Sequence, residues 1–138
     1  MAIFVVVLAV ARGAVPATAL WLPVVLIPQL LLAAGLCWML AAMGVFLRDL
    51  TQITAFLLQL GFLLTPILYS EADVPVWMKP FMPLNPMVLL VRAYRAIFLE
   101  GSPPAWGPLA ILAAGSGLFA VLAHAWFHRL RRSFADVI

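Results

Sequence analysis

Two long stretches of this chain carry no charge at all. From Gly13 to Leu47, and again from Gly101 to Phe127, there is no Asp, Glu, Lys or Arg. A helix rises about 1.5 Å per residue and bilayer hydrocarbon is about 30 Å thick, so roughly 20 apolar residues cross it. Both stretches exceed that length. Hydrophobic residues make up 67% of the chain and charged residues 9%, against about 25% charged in an ordinary soluble domain. A soluble surface needs far more charge than this. The expected fold is all-α, a polytopic transmembrane helical bundle.

The same composition excludes several functions. The net charge is +3, but the basic residues cluster only in the tail His128-Arg129-Leu130-Arg131-Arg132. Nucleic-acid binding needs a dense basic face, so no nucleic-acid partner is expected; anionic lipid headgroups suit this tail better. The single cysteine, Cys37, lies within an apolar run and can form no intrachain disulfide.

Proline and charge punctuate the runs. Residues 1–11 are apolar but about half a span long. They read as the end of a truncated span. The alternative, a signal peptide cleaved near Ala17-Thr18-Ala19, lacks a basic start, since Arg12 is the first cation. Gly13, Pro16, Pro23 and Pro28 mark a connection and a helix entry, which predicts a span over 26–47 closed by Arg48-Asp49. Ala33, Cys37 and Ala41 recur every four positions, a stripe suited to close helix approach. A second span is predicted over 51–69, with Thr65-Pro66 interrupting its far end. Gln52 and Gln59 share one of its faces; each seeks either an interhelical hydrogen bond or the polar lining of a transport path.

Residues 74–100 are too rich in proline and charge for a clean span, yet too apolar for a solvated loop. Proline-broken apolar pieces of this kind suit a re-entrant or interfacial helix pair before the last span. Arg92 and Arg95 share a face there and can reach headgroups, a pore or an acidic partner. The last span is predicted over 105–127, bracketed by Trp106 and Trp126 as interfacial aromatics. Ala110, Ala113, Ala114 and Gly117 offer small-residue packing, and 128–138 form a tail. Lys and Arg divide evenly between the two faces: Arg48, Arg129, Arg131 and Arg132 against Arg12, Lys79, Arg92 and Arg95. The tail is placed in the cytoplasm because its arginines follow a span end closely, where the positive-inside rule acts most strongly.

Catalytic chemistry finds little here. His124 and His128 are four apart, but Ala125 stands where His-Glu-x-x-His requires Glu. The acids form no intramembrane pair of the proton-relay kind. There is no Gly-x-x-x-x-Gly-Lys-Ser/Thr loop to hold ATP. No catalytic residue and no metal ligand is expected.

What remains is an ordered set of local features. Gly44-Val-Phe-Leu-Arg48-Asp49 closes one span, and Phe56-Leu-Leu-Gln59-Leu-Gly-Phe-Leu-Leu-Thr65-Pro66-Ile67-Leu-Tyr69 forms the next. Pro75-x-Trp77-x-Lys79-Pro80 leads to Leu84-Asn85-Pro86 and Ala93-Tyr94-Arg95, and the tail holds Arg131-Arg132-x-Phe134-Ala135-Asp136. In this order they resemble, from about Trp21 onward, the C-terminal half of an ABC type-2 export permease, particularly the branch that exports O-antigen, capsular or teichoic-acid polysaccharide.

That resemblance implies a multi-pass subunit of the bacterial inner membrane. It would pair as a permease homodimer and be driven by an ATP-binding-cassette ATPase that binds ATP and Mg, with no cofactor in this chain. The substrate would be a lipid-linked glycan or glycolipid. It further implies that 1–11 match the end of a third span, that 74–100 match extracellular re-entrant helices, and that earlier spans and the ATPase-engaging loop lie outside this sequence. Arg48 and Asp49 would form a coupling turn, and Asn85 and Pro86, with Tyr94 and Arg95, would set the re-entrant turn. Gln59, Tyr69, Trp77 and Phe81 would line the substrate path; Tyr69, Trp77, Phe81 and Tyr94 could stack on sugar rings or anchor at the interface. The alternatives are a permease of the same superfamily for drugs or other small hydrophobic molecules, a membrane-bound enzyme of lipid-linked sugars, and a small structural membrane protein.

Overall fold

The computed structural model of the chain describes residues 17–67 and 74–131. Among them every regular element is helical. The expectation for residues 1–11 lies outside the described residues, as does most of the tail at 128–138.

A 3-10 turn, Ala17–Trp21, leads into helix α1, Leu22–Gly44. Pro23 falls in its first turn, where the missing N–H costs nothing. Pro28 lies inside and is buried, so the helix starts before residue 26 and runs through the proline rather than beginning after it. Membrane helices tolerate this because neighbouring groups satisfy the freed backbone. α1 ends at Gly44, where the Phe46 and Leu47 amides both donate to the Met43 carbonyl at 3.0 and 2.9 Å.

Helix α2, Leu50–Leu64, is shorter than the predicted 51–69. A proline disfavours helical geometry in the residue before it, and Thr65 is extended at φ −99°, ψ 125°. Next among the described elements come a 3-10 turn, Lys79–Leu84, and helix α3, Pro86–Arg95. α3 runs directly into a π turn, Ala96–Glu100, which Gly101 ends in the left-handed region at φ 64°, where a residue without Cβ is unstrained. Helix α4 spans Trp106–Leu130.

Two of these elements, Ala17–Gly44 and Trp106–Leu130, are long and apolar enough to cross a membrane. They pack side by side and parallel. Trp21 meets Trp106 edge-on at 4.8 Å, Leu31 faces Gly117, Gly35 lies against Phe119 and Ala120, and Trp38 meets His124 at 4.5 Å. The approach at Gly35 is tight: a Cβ there would stand 2.6 Å from the Phe119 ring and 3.2 Å from the Ala120 Cα. The stripe Ala33, Cys37 and Ala41 is exposed instead, about half a turn round the helix from Gly35.

α3 and its π turn lie against the first turns of α1 and α4. Leu90, Ala93, Ile97 and Phe98 bury themselves with Val25, Leu109 and Leu112, and the Thr18 hydroxyl donates to the Ile97 carbonyl at 2.6 Å. α2 starts beside Gly44, touched by Leu50, and its far end reaches α3. It therefore runs antiparallel to the other two long helices. Arg48, Asp49, Arg129 and Arg131 gather at one end of the molecule, and α3 with its flanking turns at the other. Apart from Leu50 no residue of α2 is buried, and Phe56, Leu58 and Leu63 are well exposed. In water such a face would aggregate; in lipid it is at home.

Candidate functional site

The far end of α2 is tied to α3 by a polar node. Extended geometry at Thr65 leaves its hydroxyl free to fold back, and it donates to the Gly61 carbonyl at 2.7 Å, satisfying a backbone group that the helix end would orphan. Thr65 and Pro66 are both buried. Asn85 caps α3: its side-chain oxygen accepts from the Met87 amide at 2.9 Å, and Pro86 occupies the first helical position, where it suits the geometry. The Asn85 amide also reaches the Thr65 hydroxyl, at 3.4 Å. Arg95, in the last turn of α3, donates through Nη2 to the Pro66 carbonyl at 2.7 Å and to the Ile67 carbonyl at 3.3 Å. Both carbonyls lie just beyond the end of α2, so a charged donor satisfies backbone that the break leaves outside the helix.

Beside the node the Tyr94 hydroxyl donates to the Gln29 side-chain oxygen of α1. The Tyr94 ring lies parallel to Phe98 at 6.4 Å. Gln29 stands two turns into α1, about 10 Å from its start. Among the described residues no buried side-chain nitrogen or oxygen lacks a partner, so the polar groups at this depth are paired, as a low-dielectric setting demands.

Residues that the sequence separates by up to thirty positions thus meet. Thr65-Pro66, Asn85-Pro86 and Tyr94-Arg95 form one constellation. Gln29 joins it without having been singled out, and Thr18, which the sequence raised only as part of a cleavage site, bonds to the Ile97 carbonyl two residues beyond Arg95. The signal for Gln29 was present, a lone amide inside a charge-free run.

Other candidates lie elsewhere. Arg48 and Asp49 are exposed in the turn between α1 and α2. Asp49 sits at the α2 N-cap position without a side-chain capping bond, and its carbonyl accepts from the Gln52 and Ile53 amides. Arg48 borders a cleft of about 510 Å³ between Leu40, Gly44, Thr51 and Leu58. Gln59 is exposed on α2. Trp77 and Phe81 are 71% and 63% exposed, whereas Tyr94 is turned inward, so these aromatics do not form one surface. Tyr69 lies outside the described residues. His124 and His128 stack edge-on at 4.3 Å, and no group of three potential metal ligands occurs among the described residues.

Comparison with known proteins gives this arrangement a context. Residues 1–99 match the ABC-2 type transporter family. A Myxococcus xanthus protein named O-antigen export system permease protein RfbA is 39% identical over 118 residues, covering 84% of this chain and 45% of that protein. A Klebsiella pneumoniae protein of the same name is 25% identical over 120 residues, covering 86% and 46%. The chain thus spans about half the length of the curated relatives it matches. With a family match over well more than half its residues, the chain belongs to the ABC-2 type transporter family.

Proposed function

We propose that this chain is the membrane-spanning part of a permease subunit in an ATP-driven exporter that moves lipid-linked polysaccharide or glycolipid across the bacterial inner membrane. The relatives' names support the substrate class. The observation that carries the reading is the polar node: three sequence-distant motifs tie the end of α2 to α3, a non-spanning helix packed against the parallel pair α1 and α4. Irregular backbone at such depth is tolerated where it is buried in protein or lines a cavity. In this reading 74–100 is a re-entrant segment on the outer face, and the end holding Arg48, Asp49, Arg129 and Arg131 faces the cytoplasm. That end meets a separate ATPase, which binds ATP and Mg and does the hydrolysis. Arg48 and Asp49, exposed at the α1–α2 turn, make ion-pair contacts that couple the ATPase to the helices. Adjacent positions point different ways on a helix turn, so each meets its own partner. The permease works as a homodimer, with the exposed faces of α2 and α4 turned to lipid, to further spans or to the second copy.

The test is complementation. Cells lacking their own copy of the gene receive the wild type, R48Q/D49N or R95Q, and surface glycan is measured with ATPase activity in isolated membranes. Wild type restores surface glycan. R48Q/D49N leaves the protein in the membrane and ATP hydrolysis running while export falls at least tenfold. Unchanged export in that variant refutes the coupling role. Restored efflux of small hydrophobic compounds without surface glycan would favour the drug-export reading instead.

A further inference from the structure

A cleft of about 540 Å³ opens where α3, the π turn and the start of α4 meet. Its polar wall is Arg92, Arg95, Glu100 and Ser102, and its apolar floor includes Leu89 and Leu109. We propose that this cleft holds the headgroup of a membrane phospholipid that carries both a phosphate and an amine. The inference rests only on the membrane placement of α1 and α4, not on what is exported.

Three observations lead there. The first is charge: two guanidiniums and one carboxylate share one wall. A guanidinium presents a planar fork that matches phosphate oxygens, and a carboxylate suits an ammonium. Glu100 is held from the other side by the Ser102 hydroxyl, which donates to its Oε2 at 3.4 Å. The second is the π turn. In a regular helix Glu100, eight residues after Arg92, would stand about 80° round the axis. A π turn takes one more residue per hydrogen-bonded turn, which sets Glu100 back by roughly one residue's rotation and onto the Arg92 face. The Ser102 amide reaches back to the Ala96 carbonyl at 2.9 Å to close it. π turns of this kind recur at functional sites.

The third is level. The cleft borders Ala105 and Pro108, on either side of Trp106, and Trp106 packs on Trp21 at the start of α1. Tryptophan pairs at helix ends mark the headgroup zone. A phosphate and an amine meet the cleft at that height, with the glycerol over the apolar floor and the acyl chains along α4, where Ile111 is exposed.

The protein purified from its own membrane in mild detergent tests this. Native mass spectrometry would score binding of phosphatidylethanolamine, phosphatidylglycerol and diacylglycerol, and displacement by inorganic phosphate, for wild type, R92Q, R92K and E100Q. Wild type retains phosphatidylethanolamine at least tenfold more tightly than diacylglycerol of the same chains. R92Q weakens both phospholipids about tenfold, as loss of a charged hydrogen bond implies, and E100Q removes the preference for the amine. Should R92Q fail to fold, R92K keeps the charge, loses the fork and gives an intermediate loss. Equal retention of diacylglycerol, displacement of lipid by inorganic phosphate, or wild-type binding in both R92K and E100Q overturns the proposal.

Discussion

Replacing Gly35 by alanine tests the central helix crossing. The added methyl would stand 2.6 and 2.8 Å from two carbons of the Phe119 ring and 3.2 Å from the Ala120 Cα. Carbon atoms settle at about 3.5–4.0 Å, so the ring must recede by about 1 Å and the α4 backbone by a few tenths. The ring can swing at moderate cost; the backbone can yield only by opening the α1–α4 pair. Overpacking of this kind costs about 1–3 kcal/mol, against about 1 kcal/mol of helix propensity gained on replacing glycine. The net expectation is a loss of about 1 kcal/mol. Gly61→Ala on α2 is the control: nothing lies within 4 Å of its new methyl, so propensity acts alone and the variant is as stable as wild type or more so. Unfolding by SDS titration in mixed micelles, followed by fluorescence of Trp38 against its α4 neighbour, measures both. A further variant, G35A/F119A, separates the causes: removing the ring relieves most of the clash while the backbone contact remains. If G35A matches or exceeds wild-type stability and gains as much as G61A, the crossing does not run through Gly35.

Two further outcomes bear on the polar node. Arg95→Gln removes a charged donor from the Pro66 and Ile67 carbonyls and weakens the α2–α3 tie by about 1.5–3 kcal/mol; spin labels at Leu64 and Leu84 then show a broadened distance distribution, and an unchanged narrow one counts against the tie. Tyr94→Phe and Gln29→Leu each strand one polar group and cost about 1–3 kcal/mol, but the double variant is close to neutral. Simple additivity in that cycle would show that the pair is not coupled.

Much of this was legible in the residues. The charge-free runs mark the two long helices, and Thr65-Pro66 and Asn85-Pro86 mark a break and a cap, because proline acts locally through its ring and its missing N–H. The facing of the helices was not legible. α1 and α4 are apolar nearly all round, so no amphipathic stripe points inward, and Ala33-Cys37-Ala41 looked as suitable for close packing as the face through Gly35 and Ala42 that is in fact buried. Pro28 misled for a related reason: its effect depends on neighbours that local sequence does not show. The node was visible only as pieces. Nothing in the spacing of Thr65, Asn85 and Arg95 says that they meet, since the fold that joins them depends on the parallel pairing of α1 with α4. Gln29 is the instructive omission, because an amide in an apolar run needs a partner, and Tyr94 is that partner.

The length of α2 has a consequence for the lipid around it. Its 15 residues reach about 22 Å, beside neighbours of 23 and 25 residues that reach about 34 and 38 Å. By itself α2 therefore falls several ångströms short of the roughly 30 Å of a bilayer core. Where α2 faces lipid, the membrane thins beside it at a modest cost per ångström of mismatch, or the exposed apolar side chains of Trp77, Phe81 and Leu84 in the segment that follows make up the difference. Thinning of that kind dimples the leaflet on the α3 side along one flank of the protein. A polar molecule crossing at such a dimple meets a shorter hydrocarbon path than in the undisturbed bilayer.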